Sequence, residues 1–148
     1  LKSFENHLEK ALTLAYFIPL IISSGGNAGS QSAALVIRGL AVGEMALKDA
    51  AKLLVREVGM GSALGLGLAF LGILRAFAGG EGPRVAAAVG LSLVAVVAQG
   101  AALGTLLPLA LRRVGIDPAV SSTPFVASLS DVLGLLVYFS IAGVVLGL

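Results

Sequence analysis

Apolar residues run almost unbroken through four stretches of this chain, at residues 8–42, 53–78, 83–111 and 120–148. A helix needs roughly 20 apolar residues to cross a bilayer, so each stretch is long enough to span one. The first is too long and too interrupted for a single simple span: "ALTLAYFIPLII" is followed by "SSGGNAGSQS" and then by "AALVIRGLAV". Before the second, "RGLAVGEMALKDAAKLLVREVG" interleaves Arg38, Glu44, Lys48, Asp49, Lys52, Arg56 and Glu57 with Leu and Ala at helical spacing. That pattern predicts an amphipathic connector at the membrane surface. Pro19 and Pro108 fall inside spans and each remove a backbone hydrogen bond, so bends are expected there.

Composition sharpens this into an all-α membrane protein, a polytopic helical bundle. The 148 residues are 57% hydrophobic and only 12% charged, whereas soluble domains carry about a quarter charged residues. Mean hydropathy is +1.02. The 20 glycines, with no Trp and no Cys, point to helices that approach each other closely and exclude disulfide or thiol chemistry. Glycines recur four apart in every stretch, as Gly25 and Gly29, Gly61 and Gly65, Gly100 and Gly104, and Gly143 and Gly147. This predicts a tightly packed bundle.

The net charge of +2 and a pI near 9.3 do not indicate nucleic acid, because the basic residues are dispersed at the ends of apolar runs. They act as topology signals. Arg38, Lys48, Lys52 and Arg56 of the first connector and Arg112 and Arg113 of the third fall on one side of the membrane; Lys2, Lys10, Arg75 and Arg84 fall on the other. The bias of six to four places the two connectors in the cytoplasm and the end at Leu148 outside. The chain opens on Leu1 without a signal-peptide pattern, and we expect it to be a piece of a longer protein whose preceding helix ends in "LKSFENHLEK".

Most ionisable residues, Glu5, His7 and Glu9 and those of the connectors among them, lie within a turn or two of an interface or can snorkel to one. Asp131, in "SLSDVLGLLVYF", cannot. It lies 11 residues past Val120 and 17 before Leu148, so at ~1.5 Å per residue it is well over ~10 Å from either end of its helix. An isolated acid there could be protonated or could cap a neighbouring helix. Intramembrane acids more often face an aqueous path and mark ion or proton routes. No intramembrane Lys or Arg offers a counterion, so the natural partner is a cation from solution. The segment 23–32 makes a poor lipid-facing surface, and Asn27 and Gln31, four apart, share one helical face. It reads as a polar packing seam or as the wall of a water path, with loosened backbone tolerated only where it is buried or lines water. Beside an acid, the second reading is a complementary part of a cation route.

Other chemistries find no support. One His at the edge of the chain, no Cys and no second membrane acid leave no zinc site and no aspartyl dyad. "GLGLAF" is a G-x-G inside a span, without the rest of a nucleotide fingerprint. A serine nucleophile would have only His7 as base. The sequence describes no enzyme.

"PLIISSGGNAGSQSA" on one segment and "PFVASLSDVLGLLVYF" on the last resemble, in order and spacing, the membrane domain of the MgtE family of magnesium channels and transporters. The resemblance covers nearly the whole chain. It implies five membrane helices per subunit, the first largely missing here, and a homodimer in the cell membrane with an ion path on the two-fold axis. It further implies cytoplasmic regulatory and CBS domains outside this sequence, which sense Mg²⁺. Carried onto these residues, Asp131 becomes the ion-selecting acid, with Gly25, Gly26, Asn27, Gly29, Gln31 and Ser128 along the pore. The carbonyl near Ala127 and the gap at Gly134, on the same helix face as Asp131, would complete an outer shell around a largely hydrated Mg²⁺. Two facing carboxylates at a two-fold axis would each disfavour the other's charge unless a divalent cation sat between them. Asp117, in "VGIDPAV", falls where family members bind regulatory Mg²⁺; by itself, before Pro118, it reads as a helix cap. The alternative is a carrier coupled to protons or Na⁺ in which Asp131 titrates, and a third possibility is a scaffold whose glycines only pack helices.

Overall fold

Hydrocarbon leaves no water to satisfy backbone polar groups, and the chain answers with helices throughout. The computed structural model describes residues 2–120 and 123–147, with side chains described from residue 12 onward. Four helices follow one another: α1 (Lys2–Ala41), α2 (Ala50–Ala78), α3 (Pro83–Arg113) and α4 (Thr123–Leu146). Short 3-10 turns, Leu47–Asp49 and Pro118–Val120, precede α2 and α4, and no strand occurs among the described residues. The side chains of Glu5, His7 and Glu9 lie outside the described residues.

The turns follow from local chemistry. Gly80 and Gly115 take left-handed φ values of 83° and 80°, which a side chain would resist. There Glu81 N–H reaches back to the Ala76 carbonyl, and Ile116 N–H to that of Leu111, closing α2 and α3 with Schellman-type bonds. Gly82 then leads into Pro83 at the first position of α3, where a missing N–H costs nothing.

Two expectations are corrected. The stretch 23–32 does not break or loosen its helix: α1 runs unbroken for 40 residues, with Pro19 inside it. Ser24 Oγ returns a hydrogen bond to the Leu20 carbonyl at 2.6 Å, Ser30 and Ser32 donate to α4 and α2, and the glycines are held against α3 at Gly25 and Gly29 and against α4 at Gly26. The connector is not a separate amphipathic helix. It consists of the last turn of α1, a reversal, the 3-10 turn and the start of α2, because Leu53 and Glu57 already belong to the inward stripe of α2.

Among the described residues, three helices are long and apolar enough to cross a bilayer: α2 with its leading turn (Leu47–Ala78), α3 and α4. α1, at 40 residues, is the longest of the four. The chain is an all-α membrane bundle. α3 lies at its centre, packed against α1, α2 and α4, while α1 also packs along α4. The backbones of α1 and α2 stand apart, so a groove runs between them, crossed by side chains such as Ser32 to Glu57 and Arg75 to Tyr16. One apolar cluster joins Leu14, Phe17, Ile21, Val89, Leu93, Tyr138 and Ala142; a second, smaller one joins Val36, Leu40, Leu53 and Leu109 at the connector end.

Glycine builds the seams. A Cβ on Gly100 or Gly104 would collide with the carbonyl oxygens of Gly25 and Gly29, so these two pairs bring the backbones of α3 and α1 together. A Cβ on Gly61 would lie 2.9 Å from Ala101 Cβ, and one on Gly65 2.9 Å from Val94 Cα, which sets α2 against α3. The fourth pair makes no such seam: Gly143 has open space around its Cβ position and Gly147 ends α4 with φ 66°.

Candidate ion site at the seam of α1 and α4

Asp131 lies on α4 eight residues past Thr123, ~12 Å into the helix at the usual rise. Its carboxylate rests on α1 at Gly26. A Cβ there would stand 2.5 Å from Asp131 Oδ1 and 3.7 Å from the Ala127 carbonyl oxygen. The absence of that one atom lets the acid and a carbonyl one turn earlier face the same point of α1. Asp131 is half-buried and has neither a cationic partner nor a hydrogen-bond donor among the described residues.

Around it the structure sorts the residues singled out by sequence. Asn27 and Gln31 are exposed on one face of α1, and Asn27 Nδ2 donates to Ser23 Oγ at 3.4 Å. Ser128, exposed on α4, donates to the Pro124 carbonyl at 3.0 Å. Gly26, Ala127 and Asp131 are brought together, whereas Asn27 and Gln31 line the groove that α1 forms with Leu64 and Leu68 of α2. Gly25, Gly29 and Gly134 are buried toward α3: the Cβ position of Gly25 is 2.6 Å from Val96 Cγ1, that of Gly134 2.9 Å from the same methyl, and that of Gly29 3.1 Å from the Gly100 carbonyl. Asp117 lies apart from this group in the turn before α4, exposed, with Oδ1 accepting from Ala119 N–H at 2.9 Å. It caps the 3-10 turn Pro118–Val120, while α4 starts only at Thr123.

Two further hydrogen bonds fix the register of α4 on α1. Buried Ser130 donates to the Gly25 carbonyl at 3.4 Å, and Ser30 of α1 donates to the Thr123 carbonyl at 3.2 Å. Two turns beyond Asp131, Tyr138 Oη donates to the Leu14 carbonyl at 2.9 Å. The acid is thus carried on a helix pinned above and below it.

Sequence reasoning missed Glu57. It was assigned to a surface connector, yet it is 6% exposed on the inward face of α2. Its Oε1 accepts from Arg56 at 2.9 Å, and its Oε2 accepts from Ser32 of α1 at 3.0 Å, bridging the groove. The signal was present: Glu57 falls between Leu53 and Gly61 in a four-residue register that continues through Gly65 and Ala69. Among the described residues no three His, Cys, Asp or Glu side chains cluster to hold a metal, so one chain supplies a single acid to the α1–α4 site.

A bundle of membrane helices with a lone, unpaired carboxylate on glycine-lined backbone is the kind of protein that handles cations. The chain belongs to the MgtE family: the model of that family, described as a divalent cation transporter, matches residues 18–141. The family description is a transporter's, not an enzyme's. The chain is 44% identical over 146 residues to the magnesium transporter MgtE of Thermus thermophilus, which covers 99% of this chain and 32% of that protein. It is 36% identical over 143 residues to the magnesium transporter MgtE of Bacillus subtilis, covering 94% of this chain and 31% of that protein. That of Enterococcus faecalis is 31% identical over 144 residues, again covering 31% of its length. The chain therefore spans about a third of the length of these relatives, and the resemblance read from the two motifs is borne out.

Proposed function

We propose that this chain is the ion-conducting membrane part of a magnesium transporter, working as a homodimeric channel with Asp131 as its selecting acid. The observation that carries the reading is the carboxylate of Asp131, seated on Gly26 beside the Ala127 carbonyl and about one helical turn from exposed Ser128, with no cationic partner among the described residues. A second copy would supply a second carboxylate, and a divalent cation between them would offset their mutual repulsion.

Mg²⁺ gives up its octahedral water shell reluctantly. The Asp131 oxygens and the Ala127 carbonyl therefore take hydrogen bonds from water on a largely hydrated ion, which passes into the cytoplasm down its electrochemical gradient. Regulatory domains of the full-length protein would gate this path from the cytoplasmic side, with Asp117 at its mouth as one ligand of a regulatory Mg²⁺.

The test is Mg²⁺ uptake by the intact protein in liposomes at fixed membrane potential. Asp131→Asn keeps the size and polarity of the side chain but removes its charge, and uptake should fall by about an order of magnitude or more. Unchanged uptake would remove Asp131 from the path. Uptake that stops when a proton or Na⁺ gradient is collapsed would point to a coupled carrier instead.

A further inference from the structure

At the end of the bundle where the two basic connectors meet, a cleft of ≈ 540 Å³ opens between the start of α2 and the last turns of α3. Its lining divides by chemistry. Leu47, Ala50, Leu106, Leu109 and Ala110 make an apolar floor, and Lys48 and Arg113 stand on its rim. Leu47 and Leu106 remain 41% and 46% exposed, although each flanks well-packed helix. Neither Lys48 nor Arg113 has an ionic partner among the described residues.

A neighbouring cleft shows that this imbalance is particular. The one lined by Glu44, Asp49, Lys52 and Arg56, with Met45 and Leu53, holds two acids and two bases and so is balanced in formal charge. The first cleft has two bases and no acid. Its place is also distinctive: it lies at the ends of two membrane-crossing helices, where headgroups meet hydrocarbon. An apolar floor continuing toward the bilayer core, beneath a rim of two unpaired cations, is complementary to one occupant. That occupant has acyl chains below and a phosphate above.

We propose that this cleft binds an anionic phospholipid, its phosphate held by Lys48 and Arg113 and the upper part of its acyl chains on Leu47, Leu106 and Leu109. Basic pockets between membrane helices on the cytoplasmic side are suited to anionic headgroups. The lipid would tie the start of α2 to the end of α3, whose apolar partners Leu53 and Leu109 already meet just inside. The proposal is independent of the ion path, because none of its residues lies at the α1–α4 seam.

The experiment is native mass spectrometry of the intact protein with phosphatidylglycerol or phosphatidylcholine added in equal amount. About fivefold per cation gives a preference of ~30-fold for phosphatidylglycerol. Lys48→Gln with Arg113→Gln should abolish that preference, while Lys52→Gln with Arg84→Gln, which removes the same charge elsewhere, should leave it. Equal retention of the two lipids by the unaltered protein would overturn the proposal. So would equal loss in both double variants, which would show attraction to overall charge, or displacement of phosphatidylglycerol by inorganic phosphate, which would show a soluble-anion site. If the Lys48 and Arg113 pair fails to fold, phosphatidylglycerol-dependent stabilisation in Arg113→Gln alone decides the matter: it should be several-fold smaller than in the unaltered protein, and an undiminished value would also overturn the proposal.

Discussion

At the scale of single residues, the missing side chain of Gly26 matters as much as the carboxylate it faces. Adding a methyl there puts a carbon 2.5 Å from Asp131 Oδ1, closer than real contacts allow, and the flexible acid is the group that yields. Gly26→Ala should therefore lower Mg²⁺ uptake severalfold or more with little change in thermal stability, since the displaced atom is the end of a side chain rather than backbone. Gly25→Ala tests the contrast. Its methyl would meet Val96 Cγ1 at 2.6 Å and the Val96 carbonyl at 3.2 Å, so α1 must move off α3 and the melting temperature should fall. Stability equal in the two variants would show that Gly26 is a packing residue like its neighbour. Asp131 was legible because an acid far from either end of an apolar run has few explanations. That Gly25 and Gly29 turn toward α3 while Gly26 meets the acid was not, because adjacent glycines carry no pattern that says which helix each face will meet.

Whole helices were easier to read than their faces. Three apolar runs became α2, α3 and α4 within a few residues of the expected limits, as hydrophobic length dictates. α1 was misjudged because serine and glycine disfavour helix in water, whereas inside a bundle close backbone contact and the lack of competing water hold them helical. Glu57 was misjudged because its neighbours Arg56 and Lys52 look like a solvated run, although the register of α2 turns it inward. Its bridge to Ser32 is one polar tie between α1 and α2; Arg75 of α2, which donates to Tyr16 Oη of α1 and lies over its ring, is another. Ser32→Ala should cost about 1–3 kcal/mol, because it removes a donor from a buried charged acceptor. Glu57→Ala should cost no less, moderated because Arg56, 54% exposed, can turn to water. Unfolding in mild detergent reads both, and a double variant no worse than Glu57→Ala would place the loss in this one bond. In the same way Gly104→Leu should abolish the folded bundle, because its side chain would enter the backbone of α1 at Gly29, while Gly143→Leu should fold, with nothing near it to displace.

At the scale of the molecule, one chain is an incomplete solution to its own polarity. Asn27, Gln31 and Ser128 are exposed and the Asp131 carboxylate is half-buried, and in hydrocarbon such polar groups would be costly unless water or another polar surface covered them. The proposed dimer would answer this with a two-fold axis beside α1 and α4, setting these groups against their own copies across a water-filled path. The sequence contains no cysteine in this chain, so a single introduced thiol reports its position without ambiguity. Disulfides need Cβ atoms about 3.5–4.5 Å apart, and a hydrated ion between copies would hold these groups farther away than that. Ser128→Cys in an otherwise cysteine-free intact protein should therefore join two subunits through a short bis-maleimide, and do so poorly by direct oxidation. Phe70→Cys, on the outward side of α2 and 64% exposed, should give no dimer with either reagent. Efficient direct oxidation at position 128 would mean that the copies touch there and leave no room for the ion's water. Dimer formation from position 70 alone would move the axis to the other side of the bundle, away from Asp131.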